Sequence, residues 1–142
     1  MNLRVLFLSA SALVLADAPP VTAAEEPTAR ISFADTIKPI LREKCSHCHN
    51  RKTLPDKVSF ESKKLAFVTT KAGQPIIVPG KPDESLMVIA LESPVFHEKA
   101  MPLVGEKPNV DEVALIRRWI AEGATWPDGP VGKIKPIFRA KE

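Results

Sequence analysis

Hydrophobic positions in the first third of this chain follow a helical spacing. Bulky apolar side chains recur three and four positions apart over residues 33–41, which predicts a helix that begins after Ser32 and runs into Cys45. Asp35 stands three positions after Ser32, so the two residues form a capping-box arrangement at the start of this helix. Pro39 lies inside the segment and predicts a kink, because proline removes a backbone donor.

The clearest helical pattern lies near the C-terminal end of the chain. Asn109 and Glu112 have the spacing of a second capping box, and Gly123 is placed to end the helix in the left-handed conformation. Between the two ends, the pattern predicts a short helix within residues 59–67 and a longer one over residues 82–91. Residues 50–82 otherwise hold turns, and no segment alternates apolar and polar residues as a strand does. The pattern therefore predicts a small all-α domain with long loops. The stripe expected on the last helix comprises Val113, Ile116 and Ile120, with Leu115 and Trp119 beside it.

The N-terminal residues follow a different pattern, that of a secretory signal peptide. Arg4 precedes an apolar run over residues 5–15, and residues 21–23 end in the small side chains that signal peptidase prefers. We therefore expect a signal peptide over residues 1–23, export to a bacterial periplasm and a polar lead-in over residues 24–31. A short anchor helix is the alternative, although the apolar run is shorter than the roughly 20 residues of a membrane span.

Composition and charge exclude several classes of protein. The chain has 142 residues, of which 44% are hydrophobic and 26% are charged, as in ordinary globular domains. Its net charge of +3 is too small for a nucleic-acid-binding surface. Two cysteines are too few for a disulfide scaffold. In an oxidising periplasm we expect both thiols to be bridged, metallated or covalently modified.

Both cysteines belong to one motif, Cys45-Ser46-His47-Cys48-His49. The C-x-x-C-H pattern is typical of covalent haem c attachment. Two thiols three positions apart at a helix end can reach the two vinyl groups of one haem, and His49 can then supply an axial nitrogen to the iron. Three alternatives use the same residues: a redox disulfide, a zinc site that recruits histidines, and a structural disulfide. The redox disulfide needs a βαβ context, and structural zinc usually needs a second ligand pair.

A second axial ligand is expected on the other face of such a haem. Met101 precedes Pro102 in a proline-rich, stiff loop, and we expect this methionine to bind the iron. His97, four residues earlier in the same loop, is its rival. Met87 occupies an apolar helical position where a core role is more typical, and His47 is expected to face solvent.

These residues resemble those of class I c-type cytochromes, and most closely the planctomycete-type cytochrome c domain. The most specific parts are the C-x-x-C-H motif and the W-I-x-x-G-A-x-W-P ending over residues 119–127. Asn50 stands where a glycine is common in this family. The resemblance implies a class I fold over residues 32–127 in which the first and last helices pack together beside one haem. The matching segments, in chain order, are residues 37–41, 45–49, 78–86, 101–102 and 112–127.

The resemblance also implies a function and a ligand set. His49 and Met101 are expected as axial ligands of one covalent haem c, and one-electron transfer as the activity, without catalysis by the chain itself. The basic, Pro- and Gly-containing tail over residues 128–142 lies outside the resemblance. Two alternatives stay open: a haem enzyme subunit, sensor or ligand binder with an open or bis-histidine iron, and a zinc- or disulfide-stabilised binding module.

Further expectations concern the surroundings of the haem. A backbone carbonyl, from Pro55 or a neighbour, is expected to orient His49. Trp119 and Trp126 are large enough to form walls of the haem site. Redox partner proteins are the expected partners, and cations near the motif are expected to attract acidic ones. These cations are Lys38, Arg42, Lys44, Arg51 and Lys52.

Overall fold

Four helices and their connecting loops form the computed structural model, which describes residues 29–94 and 97–138. The expected signal peptide over residues 1–23 lies outside the described residues. Within them there is no β-strand, only an isolated antiparallel bridge between Thr69 and Pro75. The predicted all-α class is thus confirmed. None of the helices in the described part of the chain is long and apolar enough to cross a membrane.

Helix α1 runs through three continuous segments, Phe33–Ile37, Lys38–Ile40 and Leu41–Cys45. Its start follows the predicted cap, because the Ser32 hydroxyl accepts the Asp35 N–H at 3.2 Å. The same hydroxyl donates to the Asp35 carboxylate at 2.6 Å, so the two side chains bond to each other. The first and last residues of α1 therefore agree with the helix predicted from the hydrophobic spacing.

Proline inside α1 is accommodated by wider turns on either side. The first and third segments are π-helical, with hydrogen bonds that span five residues. The Ile37 N–H donates to the Ser32 carbonyl at 3.3 Å, and the Ser46 N–H donates to the Leu41 carbonyl at 2.9 Å. Pro39 lies between these segments, so the helix continues past a residue that has no N–H.

The helix predicted over residues 82–91 is divided at Ser85. Pro82–Glu84 form one 3₁₀ turn, and helix α3, Leu86–Glu92, begins after Ser85. Ser85 is extended because its buried hydroxyl is bonded to the preceding loop. This hydroxyl accepts the Val78 N–H at 2.9 Å and donates to the Lys81 carbonyl at 2.9 Å. Helix α2, Lys63–Ala66, is the short helix expected within residues 59–67.

Helix α4, Val110–Ala121, has the predicted cap and the predicted end. The Asn109 side chain accepts the Glu112 N–H at 2.9 Å, and the Asn109 N–H donates to the Glu112 carboxylate at 2.8 Å. Gly123 follows the helix with a φ of +103°, a conformation that favours glycine. Ile116, Trp119 and Ile120 form the buried stripe of α4, and Val113 and Leu115 pack partly buried against the core.

An aromatic cluster holds α1 against the C-terminal part of the chain. The ring centroid of Phe33 lies 6.0 Å from that of Trp119 and 4.3 Å from that of Trp126. The core extends beyond residue 127, because Ile134 is buried in the same hydrophobic cluster. The described part of the tail therefore packs onto the domain.

The carboxylate of Glu122 links the end of α4 to the entry of α1. It accepts the Ile31 N–H at 2.7 Å and the Arg118 Nε–H at 2.7 Å. The backbone hydrogen bond from Ile31, more than the neighbouring Arg118, lowers the pKa of Glu122 below its usual value. The ionised carboxylate is therefore favoured in the folded protein.

We expect Glu122→Gln to lower the free energy of unfolding at neutral pH. The difference in this free energy between the variant and the parent protein should become smaller as the pH falls. A folded-state pKa below the unfolded one contributes stability above the unfolded pKa, and this contribution is lost as the pH falls through the folded pKa. Glutamine does not titrate. Urea unfolding at about pH 7 and about pH 3 measures the difference. Glu84→Gln, which removes an exposed carboxylate, is the control. A difference that is constant across this range contradicts the role of Glu122.

Candidate functional site

A cleft opens between the end of α1, one face of α3 and the loop that contains Met101 and Pro108. It encloses about 850 Å³ of space free of protein atoms, part of which is open to solvent. Few polar side chains reach it, so a large apolar group is better suited to it than a hydrated ion. The apolar side chains that line it include Val58, Phe60, Ile76, Leu86, Met87 and Leu91.

The cysteine–histidine motif forms one edge of this cleft. Backbone hydrogen bonds from the Cys48 N–H and the His49 N–H to the Cys45 carbonyl, at 3.3 and 2.9 Å, continue the helical turn beyond α1. Cys45 and His49 both line the cleft, whereas Cys48 is half-buried beside it. The two thiols are not joined by a disulfide. The motif thus occupies a helix end, as expected from the helix predicted to run into Cys45.

The imidazole of His49 has a fixed orientation. Its Nδ1 lies 3.2 Å from the Val58 carbonyl oxygen. Since a carbonyl only accepts, Nδ1 carries the proton, and Nε2 of the neutral ring has a free lone pair. The Phe60 ring meets the imidazole edge-on, with centroids 5.5 Å apart. A carbonyl from Pro55 or a neighbour was expected as the partner of His49. The loop brings the carbonyl of Val58, three residues after Pro55, to the ring.

Burial shifts both cleft-lining members of the motif toward their neutral forms. It lowers the pKa of His49, with the Val58 hydrogen bond opposing the shift. Burial also raises the pKa of the Cys45 thiol to about 12, and the Glu112 carboxylate and Cys48 add to this effect. Redox-active C-x-x-C cysteines have lowered pKa values instead, because their reactive form is the thiolate. The environment of Cys45 thus favours the neutral thiol and not the thiolate.

Asn50 is a positioning residue that the sequence pattern did not reveal. Its buried side-chain amide donates to the carbonyls of Ser46 and His47 at 2.8 and 3.0 Å. Its side-chain oxygen accepts the N–H groups of Lys52 and Thr53 at 2.9 and 2.8 Å. Its side chain therefore links the backbone of the motif to the turn that follows it. The available signal was an asparagine directly after the C-x-x-C-H motif, because asparagine side chains often bond to nearby backbone groups.

The three candidates for a second ligand lie in different places. Met101 lines the cleft and is half-buried, and its N–H donates to the Ala90 carbonyl of α3 at 2.9 Å. Met87 also lines the cleft, but it is buried within the hydrophobic core. His97 is exposed and does not line the cleft, and its Nδ1 accepts the Lys99 N–H at 3.2 Å.

His47 was expected to face solvent, but it does not. It is half-buried, and its Nδ1 is buried without a hydrogen-bond partner in the described part of the protein. The loop that follows Met101 folds over the motif, with Gly105 beside the imidazole. Lys44 and Glu106 form an ion pair of 2.7 Å that fastens this loop to α1. The loop therefore covers a side chain that an isolated helix end would expose.

Neither tryptophan forms a wall of the cleft, in contrast to the sequence-based expectation. Trp119 and Trp126 are both buried, with ring centroids 6.2 Å apart, and neither lines the cleft. The Trp119 indole N–H donates to the Thr125 carbonyl at 3.0 Å. Both rings pack on the α1 side of the core because the chain turns back directly after α4.

Of the five cations expected near the motif, three have partners within the fold. Lys38 donates to the Val131 carbonyl at 2.7 Å, and Lys44 pairs with Glu106. The Lys52 ammonium lies 4.8 Å from the centroid of the Phe138 ring, although Lys52 is exposed. Arg42 and Arg51 are also exposed, so the cations available to a partner protein are mainly these two and Lys52.

Comparison with known proteins gives no relative: no family model matches the chain, and no curated protein or solved structure is significantly similar to it. The resemblance to class I c-type cytochromes therefore stays a prediction that rests on the sequence motifs.

We expect Asn50→Ala to lower the free energy of unfolding by about 2 kcal/mol, because it leaves several backbone groups without partners. Asn50→Asp is the matched variant, since it keeps the acceptor oxygen for Lys52 and Thr53 but loses the amide donor. Urea unfolding of the three proteins measures the series. Equal stability of Asn50→Ala and the parent contradicts the role of this side chain.

Proposed function

We propose that the protein is an exported, periplasmic c-type cytochrome that carries one covalent haem c and transfers single electrons. The observation that carries this proposal is the position of His49 in the C-x-x-C-H motif. Its ring lines an apolar cleft, and its Nδ1–H is bonded to the Val58 carbonyl. The remaining nitrogen, Nε2, is the atom that a haem iron needs. The chain is proposed as an electron carrier and not as an enzyme.

The chemistry of the cleft suits a haem. Cys45 and Cys48 would hold it through thioether bonds, and His49 would supply the first axial nitrogen. The mainly apolar lining matches a largely apolar macrocycle and limits the access of water. When bound, the haem would supply reversible one-electron exchange between ferrous and ferric iron.

The residues of the chain orient the ligand and tune it. The Val58 carbonyl fixes the tautomer of His49 and makes the imidazole a stronger donor. The buried, apolar surroundings disfavour additional charge at the site. Exposed Arg42, Arg51 and Lys52 surround the motif, and they would attract acidic redox partner proteins at low ionic strength.

Met101 is the proposed second axial ligand, through its thioether sulfur. It lines the cleft, and its backbone is fastened to α3 by the bond to the Ala90 carbonyl. His97 is placed outside the lining and is solvent-exposed. Met87 reaches the cleft too, but its side chain fills the core. These placements favour methionine over a bis-histidine site.

Covalent attachment predicts that the haem stays with the chain in acidified acetone. The parent protein, produced with a cytochrome maturation system, should keep a mass increment of one haem. Cys45→Ala and Cys48→Ala should each retain one thioether, and the double variant should retain neither. Mass spectrometry after extraction measures the series. A parent chain that loses its haem under these conditions contradicts covalent attachment.

The second axial ligand is tested by three substitutions and the absorption spectrum of the ferric protein. Met101→Ala should abolish the weak far-red sulfur-to-iron band and lower the midpoint potential, because methionine ligation favours ferrous iron. Met87→Leu and His97→Ala are controls that should leave the band in place. If His97→Ala changes the coordination and Met101→Ala does not, the site is bis-histidine. A high-spin parent spectrum that shifts with cyanide instead indicates an open iron site and a ligand-binding function.

A further inference from the structure

The chain after α4 turns back tightly on Trp126. The Trp126 indole N–H donates to the Gly132 carbonyl at 2.7 Å in a buried bond. A Cβ added at Gly132 would lie 1.7 Å from the Pro127 carbonyl oxygen, so no other residue fits there without moving the backbone. The segment over residues 126–138, named here the C-terminal strap, is thus held at a defined place on the domain.

The strap then bridges α1 and the segment that follows the motif. Lys38 of α1 donates to the Val131 carbonyl at 2.7 Å. Ile134 is 3% exposed, and its N–H donates to the Glu61 carbonyl at 3.0 Å. Ile134 therefore anchors the strap in the core and joins it to Glu61 through the backbone.

Glu61 closes the loop over residues 51–61. Its carboxylate accepts the Arg51 N–H at 2.8 Å and the Ser59 hydroxyl at 2.9 Å, so it ties the two ends of the loop together. Its backbone carbonyl is the acceptor for the strap. One residue thus connects the start of the loop, the end of the loop and the strap.

The same loop provides the groups that hold His49. The Val58 carbonyl accepts the His49 Nδ1–H at 3.2 Å, and the Phe60 N–H donates to the His49 carbonyl at 3.0 Å. The Phe60 ring also contacts the imidazole. All these groups lie within three residues of Glu61, so movement of Glu61 moves the partners of His49.

We propose that Glu61 and Ile134 are positioning residues for the iron-binding histidine. Ile134 holds Glu61, Glu61 closes the loop, and the loop fixes the orientation of the His49 imidazole. The part of this proposal that concerns iron rests on the proposed function. The part that concerns the contacts between the strap, the loop and His49 involves only protein groups, and it applies with or without haem.

Loss of the anchor should therefore have two effects. An isoleucine removed from the core lowers the free energy needed to open the loop locally, and the Phe60 N–H then exchanges faster with solvent. A looser loop also weakens the bond from His49 to the Val58 carbonyl. The imidazole becomes a weaker donor, ferric iron is stabilised less, and the midpoint potential rises.

The experiment compares Ile134→Ala with two controls in the full-length protein. Ile116→Ala removes an isoleucine that is equally buried but does not line the cleft, and Val131→Ala shortens an exposed side chain of the same strap. Amide exchange of Phe60 measured by NMR and the midpoint potential are the two readouts. In Ile134→Ala we expect exchange to accelerate about tenfold or more and the potential to rise, with both controls close to the parent.

Substitution of Glu61 tests the intermediate step. Glu61→Ala should accelerate Phe60 exchange as Ile134→Ala does, whereas Glu61→Gln keeps an acceptor oxygen for the Arg51 N–H and should largely retain slow exchange. Ile134→Val and Ile116→Val give the same comparison at smaller amplitude if the alanine variants do not fold.

Several results overturn the proposal. Equal effects of Ile134→Ala and Ile116→Ala on Phe60 exchange indicate a general loss of core packing. An unchanged potential and unchanged exchange in Ile134→Ala show that the strap does not position His49. If the parent protein takes up no haem, the proposed function fails, but the exchange measurements still decide whether the strap holds the loop.

Discussion

The orientation of one imidazole is the constraint on which the rest of the site depends. His49 lies at the end of a helix, where a side chain has several rotamers, and the Val58 carbonyl selects one of them. That carbonyl belongs to a loop without regular structure, so the loop itself has to be held. Asn50 closes it beside the motif, and Glu61 closes it at the far end. A short-range bond is thus supported by contacts spread over much of the domain.

Burial gives the site its electrostatic character. The pKa of Cys45 is raised and that of His49 is lowered, and desolvation is the main cause in both cases. A cleft with these properties favours neutral donors and apolar ligands over exposed ionic ones. Lys44 and Lys99 are the lysines in its lining, whereas Arg42 and Arg51 lie outside it and are exposed. The interior therefore suits a neutral, mainly apolar group, and exposed positive charge lies at the surface.

The hydrophobic core lies beside the cleft and leaves it open. Phe33, Trp119 and Trp126 hold α1 to the end of α4, and Ile134 extends this cluster into the C-terminal strap. Since both tryptophans are used there, the cleft is lined by smaller apolar residues from α3 and the loops, of which Phe60 is the largest. A domain of this size has few bulky residues, and their placement determines where a cavity can form.

Features that depend on neighbouring residues follow from the amino-acid sequence alone. The two caps at Ser32 and Asn109, the glycine end of α4 and the position of the motif at a helix end all follow from spacing, because their partners are three or four residues away. The fold as a whole sets which carbonyl meets His49, which side chains line the cleft and where the described part of the tail packs. These contacts join residues that are far apart in the chain, such as Lys38 with Val131, and local patterns carry no information about such pairs.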